Sequence, residues 1–268
     1  MHSLHRHLIV FVWLTAFWWA VQAKGAILDW DQSYGTWTAG APAIGSSVSQ
    51  SYNNDSTHAG NDVTITLSNT GGTWGTGGTG SPGSPSVNTN YNGGTSPAQK
   101  TLDLNYSSEA TNSPDLKVTI NFSAYSSGVT QVNFKIFDVD YSAGTWIDQI
   151  SKITAVTTTG AIVGPASVTG STDNVVTGSG TNYVVTGVSG NAGGSSSLGN
   201  VNINFGTAIV TSVTFSWANL DAARGDQKIG LHDINYTAVA TPEVHPALAA
   251  MLVCGGVVIF RKFRRHST

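Results

Sequence analysis

Leu116-Lys117-Val118-Thr119-Ile120-Asn121-Phe122 alternates apolar with polar side chains, and Val132-Asn133-Phe134-Lys135-Ile136 does so again. Successive side chains of an extended chain point to opposite faces. Val118, Ile120 and Phe122 therefore share one face of a strand, and Val132, Phe134 and Ile136 share one face of another. One apolar face and one polar face mark an antiparallel sheet with a core on one side and water on the other. The alternation returns at Val201, Ile203 and Phe205, and at Val213 and Phe215. Further β-branched runs fall at 26–30, 48–52, 63–67, 101–106, 150–156, 174–177, 183–186, 209–217 and 229–236. About a dozen short strands separated by Gly, Ser and Asn turns predict an all-β fold. Its form would be an antiparallel two-sheet sandwich, jelly-roll-like rather than a closed barrel.

Composition points the same way. Only 10% of the 268 residues are charged and 31 are glycine, whereas roughly a quarter of a typical soluble domain is charged. The chain is poor in the residues that build helices, and no helix-period stretch occurs between residues 24 and 240. A helix bundle, a coiled coil and a doubly wound α/β enzyme are excluded on that ground. Without a tandem repeat a solenoid is excluded too. The net charge is -3 and no basic stripe lies outside the two ends, which argues against nucleic acid as a partner.

The ends differ from the body. Arg6, flanked by His5 and His7, precedes an apolar run at 8–21, followed by Gln22-Ala23-Lys24. This is the layout of a secretory signal. Signal peptidase would cut between Ala23 and Lys24; an uncleaved anchor is the alternative. At the other end Thr241-Pro242-Glu243-Val244-His245-Pro246 leads into an apolar run at 247–260 and then Arg261-Lys262-Phe263-Arg264-Arg265. About 14 helical residues reach ~21 Å, short of a ~30 Å hydrocarbon core. Flanking residues and bilayer thinning close such a gap, so a short transmembrane helix over about 246–260 is expected. The basic cluster would stay cytoplasmic by the positive-inside rule. The expected organisation is a signal helix at 1–23, a sandwich at 24–240 and a tail at 241–268, with the body held outside an inner membrane. Within the sandwich, 69–98 reads as one long Gly/Ser/Thr-rich connection, either a loosely packed loop or an ordered excursion.

The order Pro-Glu, short hydrophobic segment, Arg-rich terminus resembles the PEP-CTERM sorting signal of diderm bacteria. The resemblance covers about 27 residues, and Val244 stands where a second proline is usual, with Pro246 two residues later. It implies an exosortase-like processing enzyme that reads Pro242, Glu243, Arg261, Lys262, Arg264 and Arg265. It also implies transient anchoring in the inner membrane, then delivery to the cell surface or extracellular matrix. Residues 132–140, Trp146-Ile147-Asp148 and 229–236 are similar to jelly-roll domains that recur in bacterial exported proteins, which implies a fold and no activity.

Catalytic constellations are lacking. The body carries thirteen aspartates, one glutamate (Glu109) and two histidines (His58 and His232), with no Gly-x-Ser-x-Gly elbow and no phosphate-binding glycine loop. The single cysteine, Cys254, lies in the tail, so no intramolecular disulfide braces the fold. Seven basic against fourteen acidic residues give the body about -7, an acidic surface suited to cation-assisted association. A non-enzymatic protein of the envelope or matrix is expected. A carbohydrate-binding module is the alternative, and a polysaccharide hydrolase comes third.

Two local features carry candidate chemistry. Phe137-Asp138-Val139-Asp140-Tyr141 ends an expected strand, and a turn through 142–145 would bring Asp148 back to it. Clustered hard oxygens suit calcium, the one cofactor the sequence suggests. Aspartates at strand ends also bond nearby backbone amides, and that reading stays open. Residues 221–226 and Asp233 are possible further ligands. Trp74 and Trp146 sit in loop-like contexts and are candidates for stacking on an extracellular polysaccharide. Trp217 continues the Val213/Phe215 face and reads as core.

Overall fold

The computed structural model describes residues 25–55, 60–75, 83–108, 116–222 and 226–240. Its strands belong to one compact unit, Ala23–Val239. The described chain is all-β: eighteen strands, a single 3-10 turn at Gly180–Asn182 and no α-helix. Every pairing is antiparallel.

The strands form one hydrogen-bonded network with two branches. The first runs in the order Ser46–Tyr52, Val63–Asn69, Leu116–Asn121, Val210–Asn219, Trp146–Thr157, Val184–Gly187, Asn174–Thr177. In the second, Ser167–Thr169, Val201–Asn204 and Val129–Phe137 lie side by side. Gln227–Leu231 and Ile234–Ala238 then follow end to end along the free edge of Val129–Phe137. Thr101–Ser108 pairs with the former and Gly25–Leu28 with the latter. Gly72–Trp74 and Ser86–Asn88 close the far edge of Thr101–Ser108.

The network curls, because the branches meet at the Val129/Val210 pair and their inner faces touch. Phe134 stacks on Phe215 with centroids 6.0 Å apart, and Tyr106 meets Trp217 at 6.1 Å. The apolar half of each alternating segment fills the space between: Leu116, Val118, Ile120, Phe122, Val132, Phe134, Ile136, Val201, Ile203 and Phe205 are all buried. Trp217 joins them as core, as its phase predicts. The polar half forms in-register rows outside. Ser49, Thr66, Thr119, Thr214 and Thr154 follow one another across five strands, and the Ser49 and Thr66 hydroxyls lie 2.7 Å apart. Asn204, Asn133 and Asn235 make a similar row on the second branch.

Each of the dozen expected strands has a counterpart, with differences at the edges. The run expected at 229–236 breaks at His232 and Asp233, where the Asp233 carboxylate turns to accept the Trp30 N–H at 3.0 Å. The described part of 69–98 is an ordered excursion. It contributes two short strands, and Asn69 ties its start with bonds to the Gly71 and Gly72 amides and the Gly72 carbonyl. The expected signal helix, its Ala23/Lys24 cleavage point and the whole expected tail lie outside the described residues. Among the described residues no helix is long and apolar enough to cross a membrane.

Candidate functional site

Strand Val129–Phe137 stops at Asp138, whose φ of 67° is left-handed, a conformation that Asp tolerates better than most residues. The chain passes Asp140, turns at Gly144 and returns as Trp146–Thr157, so that the Asp148 N–H donates to the Asp140 carbonyl at 3.0 Å. The three expected aspartates are thus brought into one corner, but their carboxylates do different work.

Asp148 is fully buried. Its Oδ1 accepts from Trp217 Nε1 at 2.9 Å and Gln227 Nε2 at 2.7 Å, and its Oδ2 accepts the Asp140 N–H at 3.2 Å. Burial pushes this carboxyl well above the usual range, while the Trp217 bond opposes the shift. Asp140 Oδ1 accepts from Trp146 Nε1 at 2.8 Å and Oδ2 from the Ala192 N–H at 2.6 Å. Burial raises it as well, and those two bonds hold it back. Among the described residues no three His, Cys, Asp or Glu side chains are grouped to hold a metal ion. In the fold the Asp140 carboxylate serves the turn beside it and Asp148 anchors the core, and the three expected calcium ligands, Asp138, Asp140 and Asp148, share one corner. The further candidates also make hydrogen bonds of their own. Asp221 accepts the Gly144 N–H, Asp226 accepts the Ser107 hydroxyl, and Asp233 is engaged with Trp30.

Trp74 and Trp146 are likewise committed within the fold. Trp74 packs edge-on against Tyr106 at 5.0 Å and donates its indole N–H to the Pro42 carbonyl at 2.9 Å. Trp146 is half-buried and spends its N–H on Asp140.

Asp138 is the exception in the corner, because its buried Oδ1 has no hydrogen-bond partner. The register places Asp103, Gly230 and Phe137 side by side on three adjacent strands, with Asp138 next along the chain. Gly230 is needed there: a Cβ would come within 2.6 Å of the Tyr91 carbonyl oxygen and 2.8 Å of Thr101 Oγ1. The 69–98 excursion thus lies directly over the outer face, and Gly93 does the same over the Phe137 ring. Beneath this cover Asp103 is only 5% exposed, and its Oδ1 has no partner either. Burial lifts Asp103 to about 7, against hydrogen bonds from Asn88 and Asn90 and the charge of Lys228. Burial also lifts Asp138 to about 7, helped by the Asp140 and Asp103 charges and again opposed by Lys228. Asp103 escaped the sequence reading because it occupies a polar position of an alternating strand, where water is the default neighbour.

On the same outer face His232 packs against Phe137 at 4.9 Å, with Nε2 2.8 Å from Gln99 Oε1. Asp233 Oδ2 lies 3.7 Å from that nitrogen. Burial, with the Lys135 charge adding to it, outweighs the opposing charges of Asp31 and Asp29. The imidazole is driven down to about 4. A folded value below the ordinary 6.5 means that the neutral ring stabilises the fold fully above about pH 6.5 and loses that contribution as pH falls towards 4. Asp233, raised by burial to about 6, works in the opposite sense and loses its contribution as pH rises through that value. The expected NMR result is a His232 ring that titrates with a midpoint near 4; a midpoint at about 6.5 would contradict this burial argument.

No family model, curated protein or solved structure matches this chain.

Proposed function

We propose that the chain is an exported, surface-sorted, non-enzymatic protein of the bacterial envelope or extracellular matrix, with a jelly-roll-like two-sheet sandwich as its body. The address rests on the two ends of the sequence: the Arg6 to Ala23 signal layout, and the Pro242-Glu243 start, short apolar run and Arg261 to Arg265 cluster of the tail. A display role is supported by the outer faces. Rows of Ser, Thr and Asn side chains, interrupted by Lys117 and Lys135, present a polar surface suited to contact with a hydrated matrix. Intact-mass measurement of surface material from the native host tests the address. The expected product begins at Lys24 and lacks residues 261–268. Material that starts at Met1, or still carries the basic cluster, overturns the reading.

One observation favours carbohydrate binding as a second reading. A shallow groove of about 310 Å³ on the outer face of the second branch is lined by Ile27, Gln131, Asn133, Asn235 and Thr237. Amide and hydroxyl groups beside one aliphatic patch suit a neutral sugar chain, which offers hydroxyls and weakly apolar ring faces. On a glycan array the expected ligands are neutral polysaccharides, with signal lost in Asn133→Ala/Asn235→Ala. Silence of the wild type across the array removes this second reading and leaves display alone.

A further inference from the structure

A buried acceptor oxygen without a donor has given up its water for nothing, so each one calls for an explanation. Three occur on one stretch of the outer face: Asp103 Oδ1, Asn105 Oδ1 and Asp138 Oδ1. Asp103 and Asn105 are two residues apart on Thr101–Ser108 and point the same way. Asp138 follows Phe137, which Gly230 separates from Asp103; the Tyr91 backbone lies over Gly230, and the Asp103 and Asp138 charges act on one another. All three atoms are acceptors. What the patch lacks is positive charge.

Lys228, the cross-strand partner of Asn105, acts on both carboxylates. Against it stand Asp103, Asp138 and the neighbouring Asp140. With all four ionised the patch carries two uncompensated negative charges, the complement of one divalent ion. We propose that Asp103 and Asp138 bind a calcium ion beneath the Tyr91 segment, with Asn105 Oδ1 as a flanking neutral ligand. Hard carboxylate and amide oxygens select calcium over softer metals. Asp140 and Asp148 stay outside the coordination, because Trp146, Ala192, Trp217, Gln227 and the Asp140 amide already occupy their oxygens. Two carboxylates are few for a calcium site and Lys228 competes with the ion. The affinity belongs to the weak class of extracellular modules, with Kd about 10⁻⁴ to 10⁻³ M. The inference rests on the body alone and is independent of the proposed address.

The test is calorimetric titration of calcium chloride into the full-length chain in mild detergent, stripped with chelator, at about pH 8, where the carboxylates are ionised. The expected result is one saturable site of that affinity and a melting midpoint that rises with calcium. Asp103→Asn and Asp138→Asn each weaken binding at least about tenfold, since each removes one of two charged ligands. Asp31→Asn, at an exposed acid outside the patch, leaves it unchanged. Both patch variants relieve repulsion between buried charges, so without calcium they melt no lower than the wild type. Loss of binding is then distinct from loss of fold. Absence of saturable binding in the wild type, or binding that survives in both patch variants, overturns the proposal.

Discussion

Replacing Asp148 with alanine is expected to cost about 3–5 kcal/mol of folding stability, because a buried donor that loses its acceptor costs about 1–3 kcal/mol. The truncation strands the Trp217 Nε1 and Asp140 N–H donors and leaves Gln227 Nε2 with only its longer bond to the Ala218 carbonyl at 3.3 Å. Relief from burying a carboxylate offsets part of the sum, which keeps the total below the simple addition. Against the 5–15 kcal/mol that holds a typical domain together, the change is large. Asp148→Asn keeps one acceptor oxygen for Trp217 and Gln227 but turns an NH₂ towards the Asp140 N–H, so it should cost about half as much. Urea unfolding measures both, with a lowered midpoint and an unchanged slope. A loss under about 1 kcal/mol in Asp148→Ala would show that Asp148 is not the anchor of this corner.

Gly187→Ala strikes the same corner from outside. Gly187 pairs with Asn174 in a regular strand, and its close neighbour is the Asp140 backbone. A Cβ there would sit 1.8 Å from the Asp140 carbonyl oxygen and 2.3 Å from its carbon, distances that real Cβ atoms do not reach. The obstacle is main chain, so no side-chain rotation relieves it. The same carbonyl accepts the Asp148 N–H, and pushing it away loosens the turn that aligns Asp140 with Trp146. The expected cost is about 3 kcal/mol, the upper end of ordinary overpacking. Thermal denaturation gives the size. The Trp146 indole N–H resonance gives the place, since it should lose its hydrogen-bonded shift while the Trp74 signal holds. An unchanged melting midpoint would refute the clash.

How far the sequence could be read depends on what each residue's neighbours are. Val118, Ile120 and Phe122 announce their strand because a wet face and a dry face alternate within the segment itself. Ser86–Asn88, Tyr141–Ser142 and Ile162–Val163 announce nothing, since two or three residues are too few for a period and the pairing depends on a distant strand. Asp148 did carry a signal: it stands in phase with Ile150, so an inward carboxylate was implied before any partner was known. Asp103 carried none. Its position is outward, and it is dry because an excursion more than ten residues away in sequence folds over it, a covering that no local alternation encodes. Asp138, Asp140 and Asp148 were legible as one corner, because a short turn joins the strand that ends at Phe137 to the one that carries Asp148. The bonds from Trp146, Trp217 and Gln227 to their oxygens were not, since two of those donors come from distant strands.

Gly25–Leu28 pairs only with Ile234–Ala238 among the described strands, so the first described strand waits for the last. More than two hundred residues of loop must close before that contact forms, and contacts of such sequence separation are slow to nucleate. A chain that emerges from its N-terminus would therefore keep this leading strand unpaired until the last described strand had followed. The topology itself delays closure.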